Sequence, residues 1–577
     1  MTDGAAAGAP STAGAEIARA RARDLARGLG RDLGWSALSA ILMVLSVPRF
    51  DAWPLMWIAL GPSLHVTLTS TTARRAFAYG WWTGLLANTI AFWWMRGLLE
   101  RFAHMPALAA IPIMLLLTAY QGLEFGLWAY AVHRLARRRP DVGLAWVAPL
   151  AMVTVELLVP QIFPFYLAIS QAWVVPVIQI ADLTGPMGVT FVLVMVTGAL
   201  YDGLRAWRAR AGTRGSGPVA LLRPLAVPAL VVVAVLVYGG LRIRQVDARR
   251  AAAPHAQVGI VQANVGIEEK WDPGEAARLL LLHQTESAKL AASGPGRRAA
   301  DLVIWPESSY PYVLPRDLRH DFLPGDPRRA GWSPPVPLLF GAVTMADSRG
   351  RAPLEGPDRF PYNTAIMLDA AGRVTGTYDK IFLLIFGEYI PFYDAIPWFT
   401  RLVPEASNFS RGRLVTTFPF EHDGHTYRLG PLICYEDILA GFSRRVAAED
   451  PNLLVNITND AWFGQTAEPY QHLALAVFRA VENRLEMVRA VNTGVSAHID
   501  AVGRVRASLP AADPDTDPPP EPMKMLVETA LLDRGGLYAH IGDLFAWACL
   551  LSVTALSFKR PRRLAAGSNP RGIPTKA

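Results

Sequence analysis

Leu429-Gly430-Pro431-Leu432-Ile433-Cys434-Tyr435-Glu436-Asp437 reads as a buried strand that runs into a sharp turn. A short apolar run bounded by polar residues is the mark of a strand covered on both faces. Here the run ends on a cysteine, then an aromatic residue and two acids, so the turn carries a thiol at its tip. The chain has two cysteines, and Cys549 lies in a separate apolar segment near the C-terminus. Cys434 is therefore the only thiol in the polar part of the chain. Two cysteines exclude a disulfide framework, and no Cys/His spacing suits zinc.

Working outward, the same texture recurs. Residues 258–262, 301–305, 336–343, 365–368 and 452–457 are further short apolar runs and predict buried strands. Residues 275–290 have helical spacing, and 472–491 predict one helix rich in arginine and glutamate. Strands alternating with helices predict an α/β domain. Residues 509–522, rich in Pro and Asp, predict a linker leading back toward a final helix.

Beyond this domain the composition changes. Of 577 residues 52% are hydrophobic and 18% charged, against about 25% charged in a typical soluble domain. Apolar runs at 34–47, 53–69, 77–95, 108–132, 142–162, 173–201 and 225–241 predict about seven membrane helices, with one more at 541–558. The first run is short and bounded by Pro48. The net charge of +8 comes mostly from arginine in short segments between these runs. That placement argues for membrane topology rather than nucleic acid. Arg74, Arg75, Arg134, Arg137, Arg138, Arg139, Arg205, Arg208, Arg210 and Arg214 fall on alternate connections. Lys559, Arg560, Arg562 and Arg563 follow the last run. The positive-inside rule then puts both termini in the cytoplasm and the α/β domain outside. Arg242, Arg244, Arg249 and Arg250 fall on the opposite side in this scheme. The expected organisation is a basic tail (1–32), a membrane domain (33–244), an external domain with a terminal linker (245–538), a last membrane helix (539–558) and a second basic tail (559–577). No cleavable signal is apparent. Glu124 and Glu156 lie within apolar runs, where acids are either functional or buried in interhelical hydrogen bonds.

Three residues at the ends of predicted elements suit acyl transfer: Glu307 after 301–305, Lys380 in Tyr378-Asp379-Lys380, and Cys434. A thiol is intrinsically nucleophilic but mostly protonated near neutral pH, so it needs a base or a positive neighbour. Glu307 can take the thiol proton and return it to a leaving group. Lys380 can stabilise thiolate and oxyanion, aided by the backbone N–H after Cys434. Taken singly, each has an ordinary alternative: a small buried hydrophobe, a helix cap, a surface charge.

Residues 255–505 resemble the nitrilase (carbon–nitrogen hydrolase) superfamily, through Trp305-Pro306-Glu307, Tyr378-Asp379-Lys380 and Ile433-Cys434-Tyr435-Glu436. With the flanking membrane runs, the chain resembles the bacterial apolipoprotein N-acyltransferase family. Lys270-Trp271-Asp272-Pro273, Phe386-Gly387-Glu388-Tyr389-Ile390-Pro391, Asn456-Ile457-Thr458-Asn459-Asp460-Ala461-Trp462-Phe463-Gly464 and Arg479-Ala480-Val481-Glu482-Asn483-Arg484 add to it. The resemblance implies an αββα sandwich outside the inner membrane, facing the periplasm, with no cofactor. It also implies a two-step reaction. Cys434, with Glu307 and Lys380, takes the sn-1 acyl group of a phospholipid as a thioester. The group then passes to the α-amine of a diacylglyceryl-cysteine on an apolipoprotein. Trp271, Glu388, Tyr435 and Glu436 become supporting or substrate-binding residues. One departure stands out: the family usually has a histidine where this chain has Phe382, and a proline where it has Ile385. This apolar loop, with 391–399, is expected either to dip into the outer leaflet or to pack as ordinary core. A membrane-anchored amidase or hydrolase and a low-activity lipoprotein-binding paralogue are the competing expectations.

Overall fold

The computed structural model describes residues 12–102, 105–210, 222–292, 298–351, 359–385, 387–389 and 408–558. The α/β part holds two six-stranded sheets. The first is built from β1 (His255–Gln262), β2 (Leu302–Ile304), β3 (Leu338–Thr344), β4 (Tyr362–Leu368), β5 (Val374–Asp379) and β12 (Met523–Ala530), in the order β12-β1-β2-β3-β4-β5. The second is built from β6 (Phe418–His422), β7 (His425–Ile433), β8 (Leu453–Thr458), β9 (Met487–Val491), β10 (Ser496–Ile499) and β11 (Val505–Leu509), in the order β11-β10-β9-β8-β7-β6. Each sheet has three parallel strands at its heart, β1–β2–β3 and β7–β8–β9, with antiparallel strands outside them.

Side chains of a strand alternate between its faces. In β1, Val258 and Ile260 point into a core shared with Leu432, Val455 and Val488 of the other sheet, while Val261 packs outward with Leu280 and Leu290 of the helix Ala276–Ala291. The helix Glu468–Asn483 covers the second sheet and is buried over nearly its whole length. The sheets thus face each other with helices outside, the αββα arrangement. Its centre is dry and densely apolar, so groups at the strand ends are held on a rigid frame.

Two expectations fail here. Residues 472–491 are not one helix: it ends at Asn483, and Met487–Val491 is a central buried strand. Arg484 takes a left-handed conformation, φ +55°, which ends the helix. The Pro-rich stretch is not followed directly by the last helix either. Residues 523–530 return to pair with β1 from His255↔Ala530 to Gln262↔Met523.

N-terminal to the sheets the chain is helical. Three helices, Ala107–Arg138, Pro186–Ala209 and Arg223–Ala252, are long and apolar enough to cross a membrane. Leu144–Leu158 and Leu544–Phe558 are apolar but shorter. The run at 53–69 divides into short pieces, a 3-10 turn over Trp53–Leu55 and helices over Met56–Ala59 and Gly61–Thr69. The run at 173–201 divides at Gly185, φ +66°, before the long helix that begins at Pro186. A helix over Thr12–Ser46 starts inside the stretch expected as a basic tail; its Ala and Arg are strong helix formers. Residues 1–11, 391–399 and 559–577 lie outside the described residues.

The arginines that sit on the unexpected side of the topology scheme lie on a helix, Ala226–Ala252, that runs on into the α/β domain. Arg242 pairs with Asp182 at 2.8 Å and Arg250 with Glu486 at 2.7 Å. Arg484 is fully buried and also reaches Asp182, at 2.8 Å, and its Nη1 donates to Gln179 Oε1 at 2.7 Å. These ionic contacts bind the helical part to the sandwich.

Candidate active site

Glu307, Lys380 and Cys434 follow β2, β5 and β7, and the fold brings them to one place. The turn after β2 is tight. Ser308 has φ +47°, and β3 passes so close that a Cβ on Gly341 would come 2.7 Å from Glu307 Cα. Only glycine allows that approach. The buried Glu307 carboxylate is fully engaged. Oε1 accepts from Asn363 Nδ2 at 2.6 Å and Lys380 Nζ at 3.2 Å, and Oε2 accepts from Asn459 N at 3.0 Å.

Lys380 is 1% exposed, yet it stands between two carboxylates, Glu307 at 3.2 Å and Glu388 at 2.8 Å. Burial opposes its charge, but Glu307 and Glu388 outweigh burial and hold its pKa well above the ordinary range. Asn363 Nδ2 also donates to Glu388 Oε1 at 2.9 Å, which closes a ring of four side chains.

Cys434 sits at the left-handed corner itself, φ +50°. Such a conformation costs a non-glycine residue about 1–3 kcal/mol and persists only where surroundings over-determine it. Glu436 does so. It is fully buried, and it accepts from Ile433 N, Ile381 N, Phe382 N and Tyr378 Oη within 3.0 Å. One carboxylate therefore fixes both the thiol corner and the loop after Lys380. Burial pushes the Glu436 carboxyl up to about 7. Burial and the Glu307 carboxylate push the Cys434 thiol well above its ordinary range, with Lys380 pulling the other way.

The other expected residues separate. Tyr435 Oη donates to Ile162 O at 2.6 Å, and its ring lies 6.3 Å from Phe163, edge to face. It thereby joins the sandwich to the loop after the helix Leu144–Leu158. Trp271 is 54% exposed and does not line the cleft. Its neighbour Lys270 is buried instead, and its Nζ donates to Glu307 O at 3.1 Å. Burial pulls Lys270 down to about 8. Phe382, at the histidine position, packs on Phe442 with ring centroids 5.0 Å apart.

Cys434 opens into a cleft of about 510 Å³. One wall is aromatic and comes from the helical part: Phe92, Trp94, Phe163 and Phe165, with Phe463 completing it. Glu124 and Glu156 shape that wall. Gln161 Nε2 donates to Glu124, Gln161 Oε1 accepts from Phe165 N at 2.8 Å, and Glu156 Oε1 accepts from Leu167 N at 3.3 Å and Thr190 Oγ1 at 3.1 Å. Of the two possibilities for these acids, the structure favours hydrogen-bonded contacts that hold a loop. Sequence reasoning missed Asn363, Lys270 and the aromatic wall. Asn363 lies near the start of β4 with no local signal, whereas Lys270 stood next to a residue already singled out. Among the described residues, Asp460, Glu468 and His472 have donor atoms close enough to surround a cation.

The family described as "Apolipoprotein N-acyltransferase N-terminal domain" matches residues 39–199, and "Carbon-nitrogen hydrolase" matches 257–516. The chain is 33% identical over 539 residues to an apolipoprotein N-acyltransferase of Geobacter metallireducens, covering 92% of this chain and 96% of that one. It is 29% identical to that of Bdellovibrio bacteriovorus, covering 83% and 86%. Among solved structures, an amidase from Nesterenkonia sp. matches at 19% identity and TM-score 0.32, over 48% of this chain and 92% of the amidase.

Proposed function

The chain belongs to the apolipoprotein N-acyltransferase family, and from that premise we propose that Cys434 carries a fatty acyl group as a thioester between a phospholipid and the α-amine of a lipoprotein. Its reaction is the N-acylation of apolipoproteins. In the first step Glu307 takes the Cys434 proton and Sγ attacks the sn-1 ester carbonyl. An S–C bond forms, and the oxyanion faces Lys380. The C–O bond then breaks, Glu307 returns the proton to the departing oxygen, and a lysophospholipid leaves. In the second step the acceptor amine attacks the thioester. A C–N bond forms, the C–S bond breaks, and Glu307 passes a proton from nitrogen to Sγ.

The single observation that carries this reading is the cleft. A nucleophilic thiol and a wall of aromatic side chains from the helical part line the same cavity. A lipid donor needs both. The thiol's raised pKa requires a base at the moment of attack, and Glu307 stands hydrogen-bonded beside Lys380 to act as one. Glu388 holds Lys380 and Asn363 ties Glu388 to Glu307, Glu436 holds the thiol corner, and Tyr435 docks the sandwich on the helical part. Trp271, exposed beside the buried Lys270, is left as a substrate-binding candidate.

The surrounding bundle is polytopic in this reading, with both termini cytoplasmic and the sandwich in the periplasm. Apolar side chains left exposed on its helices support a lipid environment: Leu108 and Leu116, Leu230 and Val237, Leu551 and Phe558. Arginine placement supports the orientation. The test is discharge of the acylated protein. Isolated acyl-protein should lose its acyl group to a diacylated lipopeptide and yield the N-acyl product. Loss to water at the same rate, with or without lipopeptide, would instead mark a hydrolase.

A further inference from the structure

Glu468 and His472, which line the cleft with Cys434, form with Asp460 a second polar cluster that the steps above do not use. Asp460 follows β8, and Glu468 and His472 begin the helix Glu468–Asn483. Their carboxylate oxygens and imidazole nitrogen lie within 4.8 Å of one another. Asp460 is 1% exposed and His472 6%. Neither oxygen of Asp460 has a hydrogen-bond partner, and neither do Glu468 Oε2 and His472 Nδ1. His472 Nδ1 stands 3.6 Å from each carboxylate, beyond hydrogen-bond distance. Glu468 and His472 line the same cleft as Cys434.

The ionisable groups around this cluster do not pair off. His472 Nε2 donates to Asp437 Oδ1 at 2.7 Å, and Asp437 also pairs with Arg489. Arg479 and Glu482 pair with each other at 2.6 Å. Three carboxylates, Asp437, Asp460 and Glu468, thus face two cations, His472 and Arg489. One carboxylate is left without a cation, and a buried carboxylate so placed holds a proton or takes up a cation. A monocation that arrives as the proton leaves keeps the site neutral while His472 stays bonded to Asp437.

We propose that Asp460 and Glu468 receive the primary ammonium of the acceptor and take one proton from it before it attacks the thioester. The inference rests on the acyl-transfer reading above. An α-amine is largely protonated near neutral pH, with a typical pKa of about 7.7–8.0, and an ammonium has no lone pair. Two neighbouring buried carboxylates resist ionising together, so an arriving cation and a departing proton exchange readily there. Burial and the Asp460 charge accordingly hold the Glu468 carboxyl well above its ordinary range. The balance closes. One ammonium proton goes to the carboxylate pair and on to water. The freed lone pair forms the C–N bond as the C–S bond breaks, and the second nitrogen proton reaches Sγ through Glu307.

An ethanolamine head group carries the same ammonium, so the test separates donor from acceptor. The full-length protein and its Glu468→Gln and Asp460→Asn variants are acylated from phosphatidylethanolamine or phosphatidylglycerol. They are then discharged with a diacylated lipopeptide or with hydroxylamine, which is uncharged at neutral pH. The expected result is normal acylation from both lipids, discharge by lipopeptide slowed about a hundredfold, and unchanged discharge by hydroxylamine. Normal lipopeptide discharge in both variants overturns the inference. So does equal slowing with both nucleophiles, a defect confined to acylation by the ethanolamine lipid, or chelator-sensitive transfer restored by a divalent metal. Wild-type protein that forms no acyl adduct overturns the acyl-transfer reading itself; wild type completing both steps alongside unimpaired variants overturns only this inference.

Discussion

Two sets of side chains around Cys434 differ in almost every physical respect. The polar set is Glu307, Lys380, Glu388 and Asn363, all from the sandwich and linked by hydrogen bonds of 2.6–3.2 Å. The aromatic set, which lines the cleft, is Phe92, Trp94, Phe163 and Phe165, from the helical part and held by ring contacts 5.1–6.3 Å between centroids. A charged network in a low-dielectric site is rigid, because each member is needed to satisfy the others. Aromatic packing is non-directional by comparison and tolerates varied apolar partners. The difference teaches a division of labour: the sandwich supplies bond chemistry and the helical part supplies the class of substrate.

The strongest way to break this comparison is Glu307→Gln. Acyl-adduct formation should fall about 10²–10⁴-fold, while circular dichroism stays native. A near-normal adduct rate would remove Glu307 from the chemistry. Next comes the seam between the two regions. Arg484 is fully buried against Asp182, which Arg242 also holds, and Arg484→Met should cost about 1–3 kcal/mol of stability by leaving Gln179 and Ala501 without their buried donor. Thermal unfolding measures it, and an unchanged midpoint would mean the regions are joined elsewhere.

Much of the polar set was legible in the sequence. Glu307 and Cys434 sit where short apolar runs stop, a change from apolar to polar residues that marks a strand end, whereas Lys380 stood out only within Tyr378-Asp379-Lys380, since β5 before it is not an apolar run. Cys434 was the more conspicuous for being the only thiol outside the helical part. The aromatic wall was not legible, because Trp94 and Phe163 are ordinary residues in apolar runs and meet Cys434 only through folding. β9 was hidden for a related reason. Met487–Val491 continues the apolar texture of the preceding helix, and the break is a left-handed Arg484 rather than a glycine or proline. β12 lay beyond a Pro-rich stretch that read as an exit from the domain. Long-range pairing with β1 leaves no local mark.

Phe163→Ala sharpens the comparison from the aromatic side. Phe163 packs against Phe92, Trp94 and Tyr435, and aromatic pairs contribute about 0.5–1.5 kcal/mol each. Adduct formation from a long-chain phospholipid should fall about tenfold, while a short-chain soluble ester reacts normally. Equal loss with both would mean the wall supports the fold rather than the lipid. A last prediction concerns pH. Burial opposes charge on His472, but Asp437 more than reverses it and raises the imidazole to about 10. Its folded pKa lies above the unfolded value of about 6.5. Its stabilisation is therefore complete below about pH 6.5 and is lost as pH rises toward 10. The unfolding midpoint should drop across that window, and His472→Gln should flatten the drop. An identical slope in the variant would contradict the assignment.

The most direct test is the mass of the Cys434 peptide after incubation of the full chain with phospholipid alone. The account predicts one fatty acyl group on Cys434, absent from Cys434→Ala and removed by a diacylated lipopeptide. A wild-type peptide without added mass, or the same adduct in Cys434→Ala, would contradict it.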